Sequence, residues 1–260
     1  MSPRRSTPRP GAPRLVRNVV PGVHRLEHAH VNCYLIEDQG EVTIVDTAFP
    51  ATWRHLMRAL QAIGSGPDAV RAVVLTHAHF DHLGFARAAQ TQWQVPVFAH
   101  PDEAELASHP YRYAHESPRL KYALRYPANL PVFARMTAAG ALNVRAVAGL
   151  TPIPADATLD LPGRPRVVFS PGHTFGHCAL LLPDRDALLS GDALVTFDPY
   201  TTETGPRVVA AAATADVDQA LESLARLDDT DARVVLPGHG EPWRQGVRSA
   251  TAHARRVGRR

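Results

Sequence analysis

Three histidines and one aspartate lie within six residues of the stretch THAHFDHLG at residues 76–84. The apolar run AVVL precedes this stretch, and the helix-like run FARAAQ follows it. Alternate residues of an extended segment point the same way, so His77 and His79 can face one cavity. Asp81 and His82 can reach the same cavity from the turn into the helix. Neutral imidazoles with a carboxylate suit Zn²⁺, Fe or Mn, so the stretch predicts a metal site.

Three further segments each place a coordinating side chain just after an apolar run and beside a glycine. SPGHTFGH places His173 after RVVFS, LLSGDA places Asp192 after DALL, and VVLPGHGE places His239 after VVL. Each residue alone has an ordinary structural explanation, as a turn-capping aspartate or a loop histidine. Sheets with parallel strands bind their ligands at the carboxyl ends of the strands. The recurrence at strand ends therefore predicts one shared site.

The elements that must position these residues alternate between strands and helices. Short apolar or alternating runs predict strands, for example AVVLTH at 72–77, and helical spacing predicts helices over 52–63 and roughly 214–228. This alternation predicts an α/β or mixed layered architecture. Residues 108–150 interrupt the alternation and predict an insert of short helices and loops.

The insert at 108–150 is rich in Tyr, Arg and Pro. It could be a simple packed helical excursion, or a lid or wall of a substrate pocket, because aromatic and Arg side chains make adaptable walls. In the second case we expect a substrate with an acidic or aromatic part, with Tyr122 and Arg125 as candidate contacts.

Positive charge is concentrated at the two ends of the chain. Residues 1–17 and 248–260 each hold five Arg and no acidic residue, so ten of the 28 basic residues lie there and the remainder carries 18 basic and 25 acidic residues. Basic ends could contact nucleic acid. No aromatic residue interleaves with the arginines, which favours solvated, partly disordered tails and no nucleic-acid partner. We therefore predict tails at 1–17 and 248–260 around one domain at 18–247.

No stretch approaches eighteen consecutive apolar residues, so the sequence predicts no membrane-spanning helix and no membrane partner. The N-terminal segment has an Arg pair without an apolar segment behind it, and this predicts a cytoplasmic protein. The two cysteines, Cys33 and Cys178, lie in apolar strand-like runs and are predicted to be buried free thiols. The sequence makes no prediction of the oligomeric state.

Four motifs resemble, in order and spacing, the metal motifs of the metallo-β-lactamase superfamily: HAHFDH at 77–82, GHTFGH at 172–177, SGDA at 190–193 and PGHG at 237–240. The resemblance spans roughly residues 19–247. It implies a four-layer αββα sandwich with a dinuclear site between the inner sheets. By position, the first metal would be held by His77, His79 and His173, the second by Asp81, His82 and His239, and Asp192 would bridge the two.

The resemblance also implies a chemistry. Two divalent ions, most readily Zn²⁺ with Fe or Mn as alternatives, would convert a bridging water to a hydroxide that attacks a carbonyl or phosphoryl group. Asp81 would also orient this nucleophile and could carry a proton. The family often has an aspartate at the end of an early strand, and Asp46 fits that position. It would fix an imidazole tautomer, although capping a helix is an equally good interpretation.

Three other histidines need separate interpretation. His177 is predicted to lie behind the ligands or to pack beside the site. His28 and His30 share one strand face and could form a third metal site, but the absence of a third ligand argues against it. A contact with substrate at the mouth of the site is the alternative for these two.

Motif details separate the branches of the family. Flavodiiron relatives carry Glu where His79 stands, and true β-lactamases generally lack the bridging aspartate, here Asp192. The complete ligand set resembles the glyoxalase II, lactonase and phosphodiesterase branches. However, DALVTFDPYTTETGP replaces the glycine- and arginine-rich glyoxalase II segment. The tyrosine that quorum-sensing lactonases place three residues after the bridging aspartate is Val195 here, and Tyr200 is the nearest tyrosine.

We therefore predict a dinuclear metal-dependent hydrolase acting on a small ester, thioester or lactone, with a phosphodiester as a weaker alternative. The competing prediction is a mononuclear non-haem iron oxidoreductase that resembles persulfide dioxygenases and uses His77, His173 and Asp192. A non-catalytic metal-binding module, with basic tails for a partner, is the third and weakest.

Overall fold

Two β-sheets form the centre of the computed structural model, which describes residues 11–154 and 156–260. The strands are β1 (Arg14–Val20), β2 (Val23–His28), β3 (Val31–Asp38), β4 (Glu41–Val45), β5 (Val70–Val74), β6 (Val97–Ala99), β7 (Thr151–Pro152), β8 (Arg166–Phe169), β9 (Cys178–Leu182), β10 (Ala187–Gly191), β11 (Val195–Phe197), β12 (Thr204–Arg207) and β13 (Val234–Pro237). The helices are α1 (Trp53–Ala62), α2 (Ala86–Ala88), α3 (Ala104–Ser108), α4 (Arg119–Arg125), α5 (Leu130–Ala138), α6 (Val217–Asp228) and α7 (Val247–Val257).

The first sheet has seven strands in the order β1 to β7, and the second has four in the order β13-β10-β9-β8. Strands β1 to β4 pair antiparallel, and β4 to β7 pair parallel. In the second sheet, β9 runs antiparallel to β8 and β10, while β10 and β13 are parallel. Consequently β8, β10 and β13 all end at the same edge of that sheet. Strands β11 and β12 form a separate antiparallel pair.

Three apolar clusters define the layers. One lies between the sheets and joins, for example, Val45 and Val74 of the first sheet to Leu180 of the second. The second covers the outer face of the first sheet with α1, and the third covers the outer face of the second sheet with α6 and α7. The predicted four-layer αββα sandwich is confirmed.

Helix α1 follows from the sequence pattern. Apolar side chains recur at helical spacing, and the helix buries Leu56, Ala59 and Leu60 against the first sheet. Helix α6 begins after Asp216, whose carboxylate accepts a hydrogen bond from the Gln219 N–H and caps the helix. Both observed helices lie within the predicted ranges.

The C-terminal segment forms a packed helix, so the predicted tail at 248–260 is wrong. Helix α7 buries Val247, Ala250 and Ala254 in the cluster that also holds α6. Small apolar residues at intervals of three and four give the helix a packing face. A count of the charged residues alone does not reveal this face. Beyond the helix, Arg259 pairs with two carboxylates, those of Glu116 and Asp218.

The predicted N-terminal tail at 1–17 is also wrong where the structure describes it, because residues 14–17 belong to β1 and pair with β2. Residues 1–10 of that tail lie outside the described residues. Cys33 and Cys178 are buried free thiols, as predicted. In the described part of the chain, no helix combines the length and the apolar character needed to cross a membrane.

The insert at 108–150 contains α4 and α5, joined by short turns. Val132 and Met136 of α5 pack on Ala48 and Phe49, in the loop after β4. Tyr113 and Tyr122 of the insert share a second cluster with Tyr200, in the loop after β11. The insert therefore contacts the segment that follows β4 of the first sheet and the segment that follows β11 of the separate strand pair.

Candidate metal centre

The ends of four strands position the predicted ligands, and the end of a fifth, β4, positions Asp46. Strands β4 and β5 are parallel, so the segment after β5 that carries THAHFDH lies beside Asp46, which follows β4. His173 follows β8, Asp192 follows β10 directly, and His239 follows β13. Because these three strands run the same way, their ligand segments meet at one edge.

The structure brings all seven predicted ligands together in two groups that Asp192 joins. One ligand atom from each of His77, His79 and His173 lies within 4.8 Å of the other two. The same limit holds for Asp81, His82 and His239. These are the two triads that the sequence motifs imply.

Asp192 lies between the triads, and its two carboxylate oxygens face three imidazoles. Its Oδ2 is 3.5 Å from His173 Nε2 and 3.2 Å from His239 Nε2. Its Oδ1 is 3.5 Å from His82 Nε2. A carboxylate in this position can contribute to both groups.

Several polar atoms in this cluster make no hydrogen bond to the described residues. They include His77 Nε2, His82 Nε2 and Asp192 Oδ1, and all three are buried. A buried polar atom without a partner costs about 1–3 kcal/mol. Buried imidazole nitrogens and carboxylate oxygens that converge on one point are the donor set of a divalent transition metal. The residues present therefore fit a metal centre.

The electrostatics of the cluster agree with this fit. Burial lowers the pKa of His77 and of His173 well below the usual value, so both imidazoles are neutral and keep a lone pair for a metal. Burial raises the pKa of Asp192, but the imidazoles of His239 and His82 outweigh this effect and lower it. Burial likewise raises the pKa of Asp81, and contact with His239 outweighs it and lowers the pKa. Both carboxyls are therefore ionised at neutral pH.

The same carboxylates favour a positive charge between them. Burial lowers the pKa of His82, but the carboxylates of Asp192 and Asp46 outweigh burial and raise it to about 9. The pKa of His239 is also raised against the effect of burial, by Asp192 and Asp81. A metal ion would supply this positive charge in place of protons.

Asp46 holds two of the ligand imidazoles through their outer nitrogens. Asp46 Oδ2 is 2.9 Å from His82 Nδ1 and accepts a hydrogen bond from Thr76 Oγ1 at 2.8 Å. Thr76 Oγ1 in turn lies 3.0 Å from His77 Nδ1. These contacts leave both Nε2 atoms free to face inward. The residue before α1 is Thr52, so Asp46 does not cap that helix.

The outer nitrogens of two more ligands are also engaged. His173 Nδ1 is 3.3 Å from Thr214 Oγ1, and His239 Nδ1 donates to the backbone carbonyl of His30 at 2.7 Å. Such outer partners fix the tautomer and the ring orientation of a ligating histidine. Thr214 and the His30 carbonyl were not predicted in this role.

His177 acts on the loop that carries Asp192. Its Nε2 accepts hydrogen bonds from the backbone N–H groups of Asp192 and Ala193, at 3.0 and 3.2 Å. Its Nδ1 is 2.9 Å from Ser170 Oγ. Burial lowers the pKa of His177 to about 3, which keeps the ring neutral and able to accept. The predicted position behind the ligands agrees with these contacts.

The structure does not bring the His28 and His30 side chains to the cavity over the metal cluster. His28 Nδ1 contacts Thr52 Oγ1 at 2.8 Å, and the His28 ring packs against His55. The His30 ring stacks on Phe197. Among the described residues, no group of potential metal ligands includes either histidine. The predicted substrate contact is therefore not seen for either side chain.

Tyr122 and Arg125 also lie away from that cavity. Together with Tyr126 and Arg260 they line a separate small hollow, and the Tyr122 hydroxyl donates to the Arg260 carbonyl at 2.6 Å. The cavity over the cluster is lined instead by Tyr113, from the same insert. The structure therefore does not place the two predicted contacts at this cavity, because Tyr122 and Arg125 lie on the part of α4 that borders Arg260.

A small cavity of about 20 Å³ lies directly over the cluster. It is bordered by ligand residues, including Asp81 and His239, and by Phe80, Tyr113 and Tyr200. The hydroxyls of Tyr113 and Tyr200 are 3.3 Å apart. The composition of the insert indicated a tyrosine wall, but not which tyrosine.

Glu103 joins two ligand loops and was not identified from the sequence. Its carboxylate accepts hydrogen bonds from the Ala78 N–H at 2.7 Å and from the Gly176 N–H at 2.9 Å, and only 1% of the residue is exposed. Ala78 lies between His77 and His79, and Gly176 lies in the GHTFGH loop. The only sequence signal was an acidic residue in the first turn of a predicted helix.

Comparison with known proteins agrees with the geometry. The family model of the metallo-β-lactamase superfamily matches residues 27–239. The chain is 29% identical over 234 residues to the probable metallo-hydrolase YflN of Bacillus subtilis, covering 85% of this chain and 84% of that protein. It is 24% identical over 243 residues to the N-acyl homoserine lactonase of Bacillus thuringiensis, covering 83% of each.

A third relative is the atrochrysone carboxyl ACP thioesterase of Aspergillus fumigatus, 25% identical over 231 residues that cover 88% of this chain and 56% of that protein. Among solved structures, the metallo-β-lactamase family protein TTHA1429 of Thermus thermophilus is 27% identical, with a TM-score of 0.65 over 90% of this chain and 78% of that one. The protein TTHA1623 in a di-iron-bound form is 25% identical, with a TM-score of 0.58 over 85% of this chain and 93% of that one. The chain belongs to the metallo-β-lactamase superfamily and is a metal-dependent hydrolase.

Proposed function

We propose that the protein is a dinuclear hydrolase that cleaves a small carboxylic ester, thioester or lactone. The observation that carries this proposal is the pair of complete ligand triads joined by Asp192 beneath a cavity. Zn²⁺ is the metal that this set of imidazoles and carboxylates suits best, with iron as the alternative. The di-iron-bound form of TTHA1623 supports iron as this alternative metal.

The second triad favours the dinuclear hydrolase over the mononuclear iron oxidoreductase. The oxidoreductase would use only His77, His173 and Asp192. Asp81, His82 and His239 are also buried, with one ligand atom of each within 4.8 Å of the other two, and a mononuclear site would give this triad no role. Two relatives, a thioesterase and a lactonase by name, support an acyl substrate.

Two divalent ions held by the triads would supply Lewis acidity and lower the pKa of a water molecule towards neutrality. The Asp81 carboxylate borders the cavity and is ionised, because its contact with His239 lowers its pKa. It can accept a proton from the attacking water and orient that water. His239 Nε2 lies 3.4 Å from Asp81 Oδ2 and keeps this carboxylate in position.

Tyr113 and Tyr200 can act on the substrate carbonyl. Burial raises the pKa of both phenols, so both keep their protons at neutral pH. One hydroxyl can donate to the other across 3.3 Å, and the second hydroxyl is then free to donate to a carbonyl oxygen. A hydrogen-bond donor at a developing oxyanion stabilises acyl transfer to water.

The test combines metal content with hydrolysis. Protein purified without added metal should contain about two zinc or iron ions per chain by elemental mass spectrometry, and the Asp192→Ala variant should contain fewer. The parent should hydrolyse members of a panel of thioesters, esters and lactones, and the variant should not. One iron per chain, together with oxygen consumption on a persulfide, would instead establish the oxidoreductase.

A further inference from the structure

A second, larger cavity adjoins the one over the metal cluster. It has a volume of about 420 Å³, within the range of small-molecule sites, and we call it the apolar chamber. Its walls come mainly from the insert at 108–150. Phe80, Tyr113, Phe133, Met136 and Tyr200 border both the apolar chamber and the cavity over the cluster. The two spaces are therefore neighbours that share one wall.

We propose that the apolar chamber binds the acyl chain of the substrate, a neutral or anionic hydrocarbon chain of medium length. This inference rests on the proposed hydrolysis of an acyl group. A carbonyl carbon placed over the cluster would leave its acyl substituent beside the residues that border both spaces, and the apolar chamber is the larger of the two.

The mouth of the chamber is unusually apolar. Leu120 and Leu142 line it, and each is 70% exposed, while Tyr111 is 44% exposed. Large aliphatic side chains grouped at the opening of a cavity mark a binding site for an apolar ligand more often than an ordinary surface. This entrance indicates that hydrocarbon contact, rather than an acidic group alone, binds the substrate.

Charge excludes a cationic chain. Among the described residues that line the apolar chamber, Arg119 is the only charged one, and its guanidinium lies 4.1 Å from the centroid of the Tyr113 ring. A positive charge held there by a cation–π contact repels a cationic substrate and tolerates a neutral or anionic one. It also holds the Tyr113 ring at the shared wall.

The experiment compares acetyl and octanoyl thioesters of N-acetylcysteamine. Burying one methylene improves transfer from water by about fourfold, so six additional methylenes should raise kcat/KM by about 100-fold or more even if only part of the chain is buried. Ala123 lines the apolar chamber, and Ala123→Trp should fill it and lower the octanoyl-to-acetyl ratio at least about tenfold.

Leu124→Trp is the matched control, because Leu124 follows Ala123 on α4, is 77% exposed and is not part of the chamber lining. It should leave the ratio as in the parent. Binding of a dansyl-labelled undecanoate, followed by fluorescence, gives a measurement that does not depend on catalysis. The parent and Leu124→Trp should bind it, and Ala123→Trp should bind it at least about tenfold more weakly.

The outcomes separate the two proposals. Equal hydrolysis of both thioesters by all three proteins would overturn the chamber assignment and leave the hydrolase intact. Equal binding of the probe by all three proteins would also overturn it. No hydrolysis of any acyl substrate, with probe binding lost only in Ala123→Trp, would support the chamber and refute the proposed reaction.

Discussion

Glu103→Gln tests whether one buried carboxylate holds two metal-ligand loops in register. The Glu103 oxygens accept from the Ala78 N–H at 2.7 Å and from the Gly176 N–H at 2.9 Å. Glutamine has nearly the same shape but only one acceptor oxygen. One of the two backbone N–H groups must then face the amide NH₂ group, which is also a donor.

The expected loss follows from this one unsatisfied donor. A buried N–H without an acceptor costs about 1–3 kcal/mol. Burial raises the pKa of Glu103, so ionisation of the parent carboxyl opposes folding, and the neutral amide recovers part of the loss. We expect a net destabilisation of about 1–2 kcal/mol, or about 2–8 °C in Tm for a chain of this size. Metal affinity should fall about tenfold, since the two displaced loops carry five of the seven ligands.

The assay is urea and thermal unfolding of the metal-free protein, followed by titration with Zn²⁺. Asp102→Asn is the matched control: it makes the same change at the adjacent position, where the side chain is 59% exposed. The control should alter the free energy of unfolding by less than about 0.5 kcal/mol. If Glu103→Gln behaves like this control in both stability and Zn²⁺ affinity, Glu103 does not hold the loops.

Three further predictions concern Gly238, Asp46 and His28. In Gly238→Ala, the new Cβ would lie 2.1 Å from Asp192 Oδ1, so the carboxylate must move, and metal content should fall below that of the parent; equal content would contradict this. Asp46→Asn removes the carboxylate that orients His82, so Zn²⁺ affinity should fall about 10- to 100-fold in a competition titration with a chelator, while unchanged affinity would refute the role. Burial lowers the pKa of His28 to about 4 from an ordinary value of 6.5, so the unfolded chain binds this proton first as the pH falls, and stability decreases from about pH 6.5 towards 4. His28→Asn should therefore lose less stability than the parent between pH 7 and pH 5 in urea unfolding, and an equal loss would show that His28 does not contribute.

The ligand residues and a layered α/β architecture could be predicted from the sequence, and the resemblance of the four motifs implied the four layers. The cluster could be predicted because each ligand segment directly follows a strand, and strand signals are local and strong. Once strands are assigned, the rule that parallel strands end at one edge brings His173, Asp192 and His239 together in the second sheet. His77 follows β5 of the first sheet and joins them only through the packing of the two sheets. Helices α1 and α6 were predictable for the same reason, since their apolar spacing is visible within a dozen residues.

The residues of the insert that border the cavity could not be predicted without the three-dimensional packing. Tyr122 and Tyr113 belong to one tyrosine-rich insert, but Tyr122 on α4 packs against Arg260, whereas Tyr113, in the loop before α4, borders the cavity. Glu103 meets Ala78 and Gly176 across 25 and 73 residues of chain. Helix α7 was not predicted, because its arginines suggested a solvated tail. Its short apolar face is ordered by packing on the second sheet and α6. Such contacts depend on long-range packing. Local composition and spacing do not indicate which distant surface a side chain will contact.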